Sequence, residues 1–312
     1  MWLMLASAIG GCSAGEDPAV PGADVLRVVA TVGMIGDLVE QVAEGVPVEV
    51  TTLIQPGIDP HLYKPTRTDI RRLQEAGVIF YNGLNLEGKM TRAFEQAERA
   101  GVTVVAVAER LPEAGRLTDP EQPAATDPHL WMDPARWAVV VEVVADTLAG
   151  AMPEHAERFR DNAAELTTEL VELDAAAEQR LAAVPEGRRV LVTAHDAFQY
   201  FGDRFDFEVL GIQGLSTESE AGVRDIERLV STLVERGIGA VFVESTVSSR
   251  NVEALIAGAA ARGHTVAIGG ELFSDAMGPA GTPEGTYAGM IRHNVRTIAD
   301  ALGAEGAEAS DG

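Results

Sequence analysis

The chain has 312 residues, of which 46% are apolar, so it is long enough for two globular domains with separate cores. Its 48 acidic and 24 basic residues give a formal net charge of -24, which disfavours nucleic acid and anionic membrane surfaces as partners and favours cations. Cys12 is the single cysteine, which excludes an intramolecular disulfide and a cysteine-rich zinc site, so a metal would need nitrogen and oxygen ligands.

The first feature in chain order is an apolar segment, residues 1–11 (MWLMLASAIGG), followed by Cys12 and a polar stretch, residues 13–24. The segment is shorter than the roughly 20 residues of a membrane-spanning helix, and we interpret it as the end of a signal peptide before a flexible tether. The sequence from Ile9 to Cys12 resembles the lipobox of bacterial lipoproteins, in which the cysteine is lipid-modified. A basic n-region is missing, so the alternatives are a translation start upstream of Met1 and an ordinary buried cysteine. We expect lipidation at Cys12 and an extracytoplasmic location, anchored to the membrane or periplasmic.

From Val25 onward, strand-like apolar runs alternate with helical patterns, which is the order of a parallel sheet covered by helices. The runs are continuously apolar rather than alternating, which predicts burial on both faces. The order occurs twice, so we predict an α/β fold with two lobes, residues 25–152 and 185–302. The strand-like runs are VLRVVATVG, VEVTTLI, VIFYNG and VTVVAVA in the first lobe, and VLVTA, FEVLGIQ, AVFVES and TVAIGG in the second.

Residues 153–184 have the pattern of one long helix between the lobes. Pro153 suits its first turn, Pro185 blocks its continuation, and apolar side chains recur at steps of three and four. At 1.5 Å per residue, about 30 residues would span roughly 45 Å. The alternative is a coiled coil that dimerises, but an apolar stripe of only about three heptads favours packing within the chain. Residues 303–312 are predicted to form a disordered tail.

Four residues that can bind a transition metal follow strand-like runs: His61, His129, His195 and Asp275. Because ligand sites of open parallel sheets lie outside the carboxyl ends of the strands, these side chains can converge in one cleft. Each has an ordinary alternative: a solvated or hydrogen-bonded loop residue for His61 and His129, a core residue for His195, and a helix N-cap for Asp275. Three histidines at equivalent strand ends favour a shared site.

The first two histidines lie in related loops. His61 belongs to DPHLYKPT, in which Thr66 and Asp69 form an N-cap pattern for the next helix. His129 belongs to DPHLWMDP, in which Asp133 reads as the N-cap before a proline at the first helical position. Stiff loops of this kind hold an imidazole in a fixed position.

Three imidazoles and a carboxylate suit tetrahedral Zn²⁺, and they can hold Mn²⁺ if the carboxylate binds through both oxygens. Four protein ligands leave no open position for a catalytic water, which favours carriage of the metal over catalysis. His155, His264 and His293 fall on predicted helices or in a turn, and we interpret them as structural or solvent-facing. Two other functions stay open: a zinc hydrolase with Asp275 or Asp196 as its base, and a surface adhesin with a structural metal.

The segment from Gly83 to Met90, GLNLEGKM, follows a strand-like run and opens a helix, as a phosphate-binding loop does. Met90 stands where that motif needs Ser or Thr to bind Mg²⁺, and Glu87 would place a negative charge inside the phosphate cradle. We therefore predict no nucleotide site and interpret Gly83 and Gly88 as turn residues.

Six motifs together resemble the metal-binding receptors of bacterial zinc and manganese ABC importers, the TroA-like subgroup of solute-binding lipoproteins. They are DPHLYKPTRTDIRRL, YNGLNLEGKM, DPHLWMDP, VTAHDAFQYF, FVESTVSSRNVEAL and GGELFSDAMG, and the similarity extends over nearly all of residues 25–302. The resemblance implies two α/β lobes joined by a long rigid helix, with an ABC permease and its ATPase as partners. It also implies a metal between the lobes, held by His61 and His129 from the first and by His195 and Asp275 from the second.

The resemblance narrows the choice of metal without fixing it. Manganese-selective relatives often carry Glu at the third ligand position, whereas zinc and mixed relatives carry His, which is His195 here. Strongly zinc-specific relatives often have a long His-rich loop, where this chain has EAGRLTDPEQPAAT. We therefore expect a receptor for Mn²⁺ or Zn²⁺ and no enzymatic activity. We also predict that Glu244 and Asp196 orient histidine ligands, the alternative being two solvent-facing carboxylates.

Overall fold

The computed structural model describes residues 25–119 and 124–303. The predicted signal segment with Cys12 and the predicted tail from residue 304 onward lie outside the described residues. Gly303, which we assigned to the tail, is instead the last residue of the final helix.

The first half of the chain alternates strands and helices as the sequence pattern predicts. In order, the elements are β1 (Leu26–Ala30), α1 (Gly33–Val42), β2 (Val48–Thr52), α2 (Arg67–Glu75), β3 (Val78–Tyr81), α3 (Thr91–Arg99) and β4 (Thr103–Ala106). They form one parallel sheet with the strand order β2-β1-β3-β4. The inner strand β3 begins with three fully buried residues, Val78, Ile79 and Phe80, as expected of a strand covered on both faces.

The second half repeats the alternation. Its elements are β5 (Val190–His195), α6 (Gln199–Phe205), β6 (Glu208–Gln213), α7 (Val223–Arg236), β7 (Ala240–Glu244), α8 (Arg250–Ala261), β8 (Ala267–Leu272) and α9 (Tyr287–Gly303). The pairs β5 with β6 and β7 with β8 are both parallel, and β5 lies beside β7. The central position of β5 explains why every one of its residues is buried.

The prediction that TVAIGG is a strand buried on both faces is wrong. Residues from Ala267 to Glu271 of β8 are exposed or half-buried, and Ile268 is 49% exposed. Within the described residues β8 pairs with β7 alone, so it is an edge strand. An apolar run does not by itself distinguish an edge strand from a central one.

The predicted long helix is confirmed with shorter limits. A 3-10 turn, Pro153–His155, follows α4 (Pro134–Ala151) and leads into α5 (Ala156–Leu181). The 26 residues of α5 correspond to about 39 Å. Its buried face packs against α4 and α1 of the first half and against α9 of the second. These contacts within the chain account for the apolar stripe that a dimeric coiled coil would otherwise explain.

Two apolar cores fill the described residues. The larger one combines side chains from both halves, among them Phe94, Phe201 and Tyr287, and the smaller one lies within the second half. Because the larger core crosses between the halves, the lobe boundaries stay a prediction. Among the described helices, none combines the length and apolar composition that a membrane crossing requires.

Candidate metal centre

His61 lies in the loop between β2 and α2, and the carboxylates of Asp59 and Asp69 hold this loop in place. Asp59 accepts a hydrogen bond from the backbone N–H of His61 at 2.8 Å. Beyond the histidine, Thr66 and Asp69 form the predicted capping box at the start of α2, and the hydroxyl of Tyr63 also donates to Asp69. The loop is therefore fixed on both sides of His61, which is 4% exposed.

His129 is fixed by the aspartate two residues before it. Oδ1 of Asp127 accepts from the backbone N–H of His129 at 2.8 Å and lies 2.7 Å from Nδ1 of its ring. This contact sets the ring orientation and leaves Nε2 to face the cleft. Asp133 caps α4 as predicted, with Pro134 at the first helical position. Trp131 is fully buried in the core and its indole N–H donates to the backbone oxygen of Ser274.

His195 is the last residue of β5, and Glu244 is the last residue of the neighbouring strand β7. Oε2 of Glu244 lies 2.5 Å from Nδ1 of His195, while Oε1 accepts from the backbone N–H of the same residue at 2.9 Å. The arrangement matches that of Asp127 with His129. In both cases a carboxylate binds the ring nitrogen that faces away from the cleft.

Asp275 follows the end of β8 and is buried, with 1% exposure. It caps no described helix, because the next helical turn begins only at Pro283, so the N-cap alternative is excluded. Both of its carboxylate oxygens are buried, and neither has a hydrogen-bond partner among the described residues. A buried carboxylate in this state is unfavourable unless a cation is paired with it.

The four side chains meet at ligand-to-ligand distances. Nε2 of His61 lies 3.4 Å from Nε2 of His129. The Asp275 oxygens lie 3.3 Å from Nε2 of His195, 3.4 Å from Nε2 of His129 and 3.7 Å from Nε2 of His61. In a tetrahedron the ligand separation is about 1.6 times the metal–ligand bond, so bonds of about 2.0–2.1 Å correspond to about 3.3–3.4 Å. The donor set and its spacing fit a transition metal ion.

The charges of the site are set by burial and by mutual contact. Burial lowers the pKa of His61 to about 3, so its imidazole is neutral and has a free lone pair. Burial alone would raise the pKa of Asp275, but the three histidines lower it overall and keep the carboxylate ionised. Burial also opposes the charged form of His195, yet Glu244 and Asp275 outweigh it and raise the pKa of His195 well above its usual value.

A cavity of about 370 Å³ lies beside the site, lined by His61, Leu84, Asn85, Pro128 and Leu215 among others. His61 also lines a smaller adjoining cavity of about 200 Å³, beside Lys89 and Glu218. Of the four candidate ligands, only His61 is among the residues that line these two cavities.

A protein-family model described as zinc-uptake complex component A, periplasmic, matches residues 28–301. The chain belongs to this family.

Among known members of the zinc-uptake component A family, the manganese-binding lipoprotein MntA of Bacillus subtilis is 46% identical over 296 residues, which cover 95% of each chain. The zinc-binding protein TroA of Treponema pallidum is 46% identical over 275 residues, 88% of each chain. The solved structure of the periplasmic zinc-binding TroA superposes with a TM-score of 0.86, covering 89% of this chain and 99% of TroA. The α/β fold and the resemblance expected from the motifs are confirmed.

Asp127 and Asp196 have different contacts with the histidines from those that the sequence predicts. The carboxylate that orients His129 is Asp127, which the sequence reasoning missed, although the shared Asp-Pro-His spacing around both first-half histidines was a usable signal. Asp196, which we expected to orient a histidine, accepts a hydrogen bond from Gln199 instead. Burial raises the pKa of Asp196 to about 6.

The contacts of Glu87 explain why the segment from Gly83 to Met90 is not a phosphate-binding loop. Glu87 is buried and its carboxylate accepts from the backbone N–H groups of Asn82 and Gly83 and from the hydroxyl of Thr31. These amides are the donors that a phosphate would need, and the carboxylate already occupies them. Gly83 is a turn residue with φ of 85°, whereas Gly88 lies in a 3-10 turn.

Proposed function

We propose that this protein is the substrate-binding component of an ABC importer and captures Mn²⁺ or Zn²⁺ as its cargo. The supporting observation is the buried cluster of His61, His129, His195 and Asp275, whose ligand atoms all lie within 4.8 Å of one another. Two close relatives are named as a manganese-binding lipoprotein and a zinc-binding protein, which supports both metals as candidates.

The coordination favours carriage over catalysis. Three imidazole nitrogens and a carboxylate fill a tetrahedral site, and they leave no position for a water that the metal could activate. The cleft is narrow at the ligands, since Asp275 lies within 3.7 Å of each of the three rings. We therefore propose that the protein is a carrier without enzymatic activity.

Capture and release follow from where the ligands originate. His61 and His129 belong to the first half of the chain, and His195 and Asp275 belong to the second. A shift of one half against the other, or an opening of a ligand loop, would separate the two pairs and free the ion. Because α5 packs against elements of both halves, we expect the shift to be small.

The proposal extends to location and partners. Relatives are named lipoproteins and a periplasmic protein, which supports an extracytoplasmic position and delivery of the ion to an ABC permease with its ATPase. Lipidation of Cys12 stays a prediction, and labelling with a radioactive fatty acid in cells expressing the wild type or Cys12→Ala would test it.

The function is tested by removing metal from the purified protein with a chelator, then titrating Zn²⁺ and Mn²⁺ while following thermal unfolding. Specific binding should stabilise the protein by about 2.7 kcal/mol when free metal is a hundredfold above the dissociation constant. The stabilisation should disappear in His195→Ala and persist in His155→Ala, whose histidine lies outside the cluster. Failure of both ions to stabilise the wild type would refute the metal-carrier function.

Zn²⁺ should bind more tightly than Mn²⁺ in vitro whichever ion is transported, because affinity for nitrogen and oxygen sites rises from manganese to zinc. The transported ion is therefore identified in cells, by measuring the uptake of each metal in a strain that lacks this protein and in the same strain after complementation.

A further inference from the structure

One buried hydroxyl bridges the two halves of the chain behind the metal centre. Tyr200, in α6 of the second half, accepts a hydrogen bond from the backbone N–H of Leu117 at 3.0 Å. Its hydroxyl donates to the backbone oxygen of Asp127 at 3.2 Å. Leu117 and Asp127 belong to the first half and are joined to each other by a backbone bond from Asp127 N–H to the oxygen of Leu117 at 2.9 Å. The hydroxyl therefore binds Leu117 and Asp127 where the backbones of these two residues are joined.

Each end of this bridge leads to a candidate ligand. On one side, α6 begins four residues after His195, so Tyr200 lies in the helix that directly follows this candidate ligand. On the other side, the residue whose backbone oxygen accepts from Tyr200 is Asp127, and the side chain of Asp127 holds both the backbone and the ring of His129. A movement of α6 would therefore reach the ring of His129 through Asp127, which contacts both Tyr200 and His129.

Burial and a contact with Arg136 keep the side chain of Tyr200 in place. Its side chain is fully buried, and burial raises its pKa to about 12, so the hydroxyl keeps the proton that it donates. The guanidinium of Arg136 lies 5.3 Å from the centre of the Tyr200 ring and pairs with Asp203 of the same helix at 2.6 Å. Separating the halves would leave the Leu117 N–H and the Asp127 oxygen without their partner, which opposes separation.

We propose that the Tyr200 hydroxyl is a positioning group that holds the Asp127–His129 unit against the segment following His195 and so slows the loss of bound metal. The inference rests on the proposed function. A simpler role for Tyr200 is core packing alone, since its ring belongs to the main apolar core. The two roles differ in what the hydroxyl does, because phenylalanine keeps the ring and removes only the two hydrogen bonds.

The test compares the wild type, Tyr200→Phe and Thr147→Val, each loaded with Zn²⁺ and mixed with an excess of a coloured chelator in a stopped-flow instrument. Thr147→Val is the matched control, because it also removes a hydroxyl hydrogen bond, but one to Val143 within the same helix. We expect zinc to leave Tyr200→Phe at least about tenfold faster than the wild type, the size of effect that one or two lost hydrogen bonds can produce. Thr147→Val should release zinc within about twofold of the wild-type rate.

Urea unfolding of the metal-free proteins separates positioning from packing. If Tyr200→Phe lowers stability but releases zinc at the wild-type rate, the role is structural and the inference is overturned. If the wild type binds neither zinc nor manganese, the proposed function fails and the inference with it. Zinc binding with unchanged release in Tyr200→Phe overturns the inference alone.

A second measurement covers the case in which Tyr200→Phe does not fold. Amide hydrogen exchange of Leu117 in the wild type should be at least about tenfold slower with zinc than without it, because the ion holds the halves together and the N–H stays bonded to Tyr200. Equal exchange of this amide in the two states would also overturn the inference.

Discussion

Glu244 holds both the backbone and the ring of His195, accepting from its N–H at 2.9 Å and lying 2.5 Å from Nδ1. The two residues end strands β5 and β7, which lie side by side, so the packing of these strands brings the carboxylate to the ligand. The contact fixes which nitrogen of His195 faces the cleft and makes that nitrogen a stronger donor to a metal.

Replacing Glu244 by glutamine should therefore weaken Zn²⁺ binding by about 10- to 100-fold, the usual cost of losing a carboxylate behind a histidine ligand. Competition with a chelator of known affinity measures the change. Glu253→Gln, on the surface of α8, is the matched control and should bind as the wild type does. Affinity in Glu244→Gln within about twofold of the wild type would show that the contact does not tune the ligand.

Asp127 should strengthen metal binding through His129 in the same way, whereas Asp196 should have no such effect. Asp127→Asn removes the acceptor for the His129 ring and is expected to weaken Zn²⁺ binding by about 10- to 100-fold. Asp196→Asn changes a carboxylate that bonds to Gln199, and we expect its affinity to stay close to that of the wild type. The reverse ranking in the same chelator competition would restore Asp196 as the orienting residue.

Glu244 and Asp127 contact a histidine ring whereas Asp196 does not, and this difference shows what the sequence can predict. The strand-helix order, the long helix, the N-caps at Thr66 and Asp133 and the four candidate ligands all follow from local patterns or from strand-end placement. Which carboxylate turns toward a histidine depends on side-chain direction across neighbouring strands and loops. Adjacency along the chain favoured Asp196, while Glu244 reaches His195 from another strand, and only the packing of β7 beside β5 reveals this contact.

Burial of individual strands is also set by tertiary contacts. The apolar run at β8 resembles that of a central strand, yet it forms an edge, because β8 pairs with β7 alone among the described strands. The bridge from Tyr200 to the Asp127 loop could not be predicted either, since it joins residues 73 positions apart through backbone atoms that carry no sequence signal.

Glu87→Ala should destabilise the protein without creating any nucleotide affinity. The change leaves the buried N–H groups of Asn82 and Gly83 and the hydroxyl of Thr31 without their acceptor. We expect a loss of at least about 2 kcal/mol in the free energy of unfolding, since each buried unsatisfied group costs about 1–3 kcal/mol. Urea unfolding of the metal-free protein measures it, with the exposed Glu98→Ala as control. A loss below about 0.5 kcal/mol would mean that water replaces the carboxylate.

Lys89 of the first half and Glu218 of the second form an ion pair at 3.0 Å, and both line a cavity together with His61. Their side chains are 28% and 50% exposed, so the pair should contribute less than about 1 kcal/mol to stability. Its effect should appear instead in the rate of metal exchange, because the pair joins the two halves beside His61. We expect Glu218→Ala to exchange zinc faster than the wild type at low salt, with the difference shrinking at high salt. A difference that persists at 1 M salt would argue against an electrostatic contact.

The loop that carries His61 should show its own pH dependence through Asp69. Burial alone would raise the pKa of Asp69, but hydrogen bonds from Thr66 and Tyr63, together with Arg72, lower it overall. The ionised form is therefore favoured by folding: its contribution is present above the unfolded pKa of about 3.9 and is lost as the pH falls through the lower folded value.

Asp69→Asn should accordingly cost about 1 kcal/mol of unfolding free energy at pH 7, the size of a typical capping contribution, and less at pH 3, which lies below the unfolded pKa. Urea unfolding of the metal-free protein at both values measures the difference, and Glu75→Gln, exposed at the end of the same helix, is the control. An equal cost at pH 7 and pH 3 would mean that the hydrogen-bond geometry of Asp69, rather than its charge, stabilises the loop.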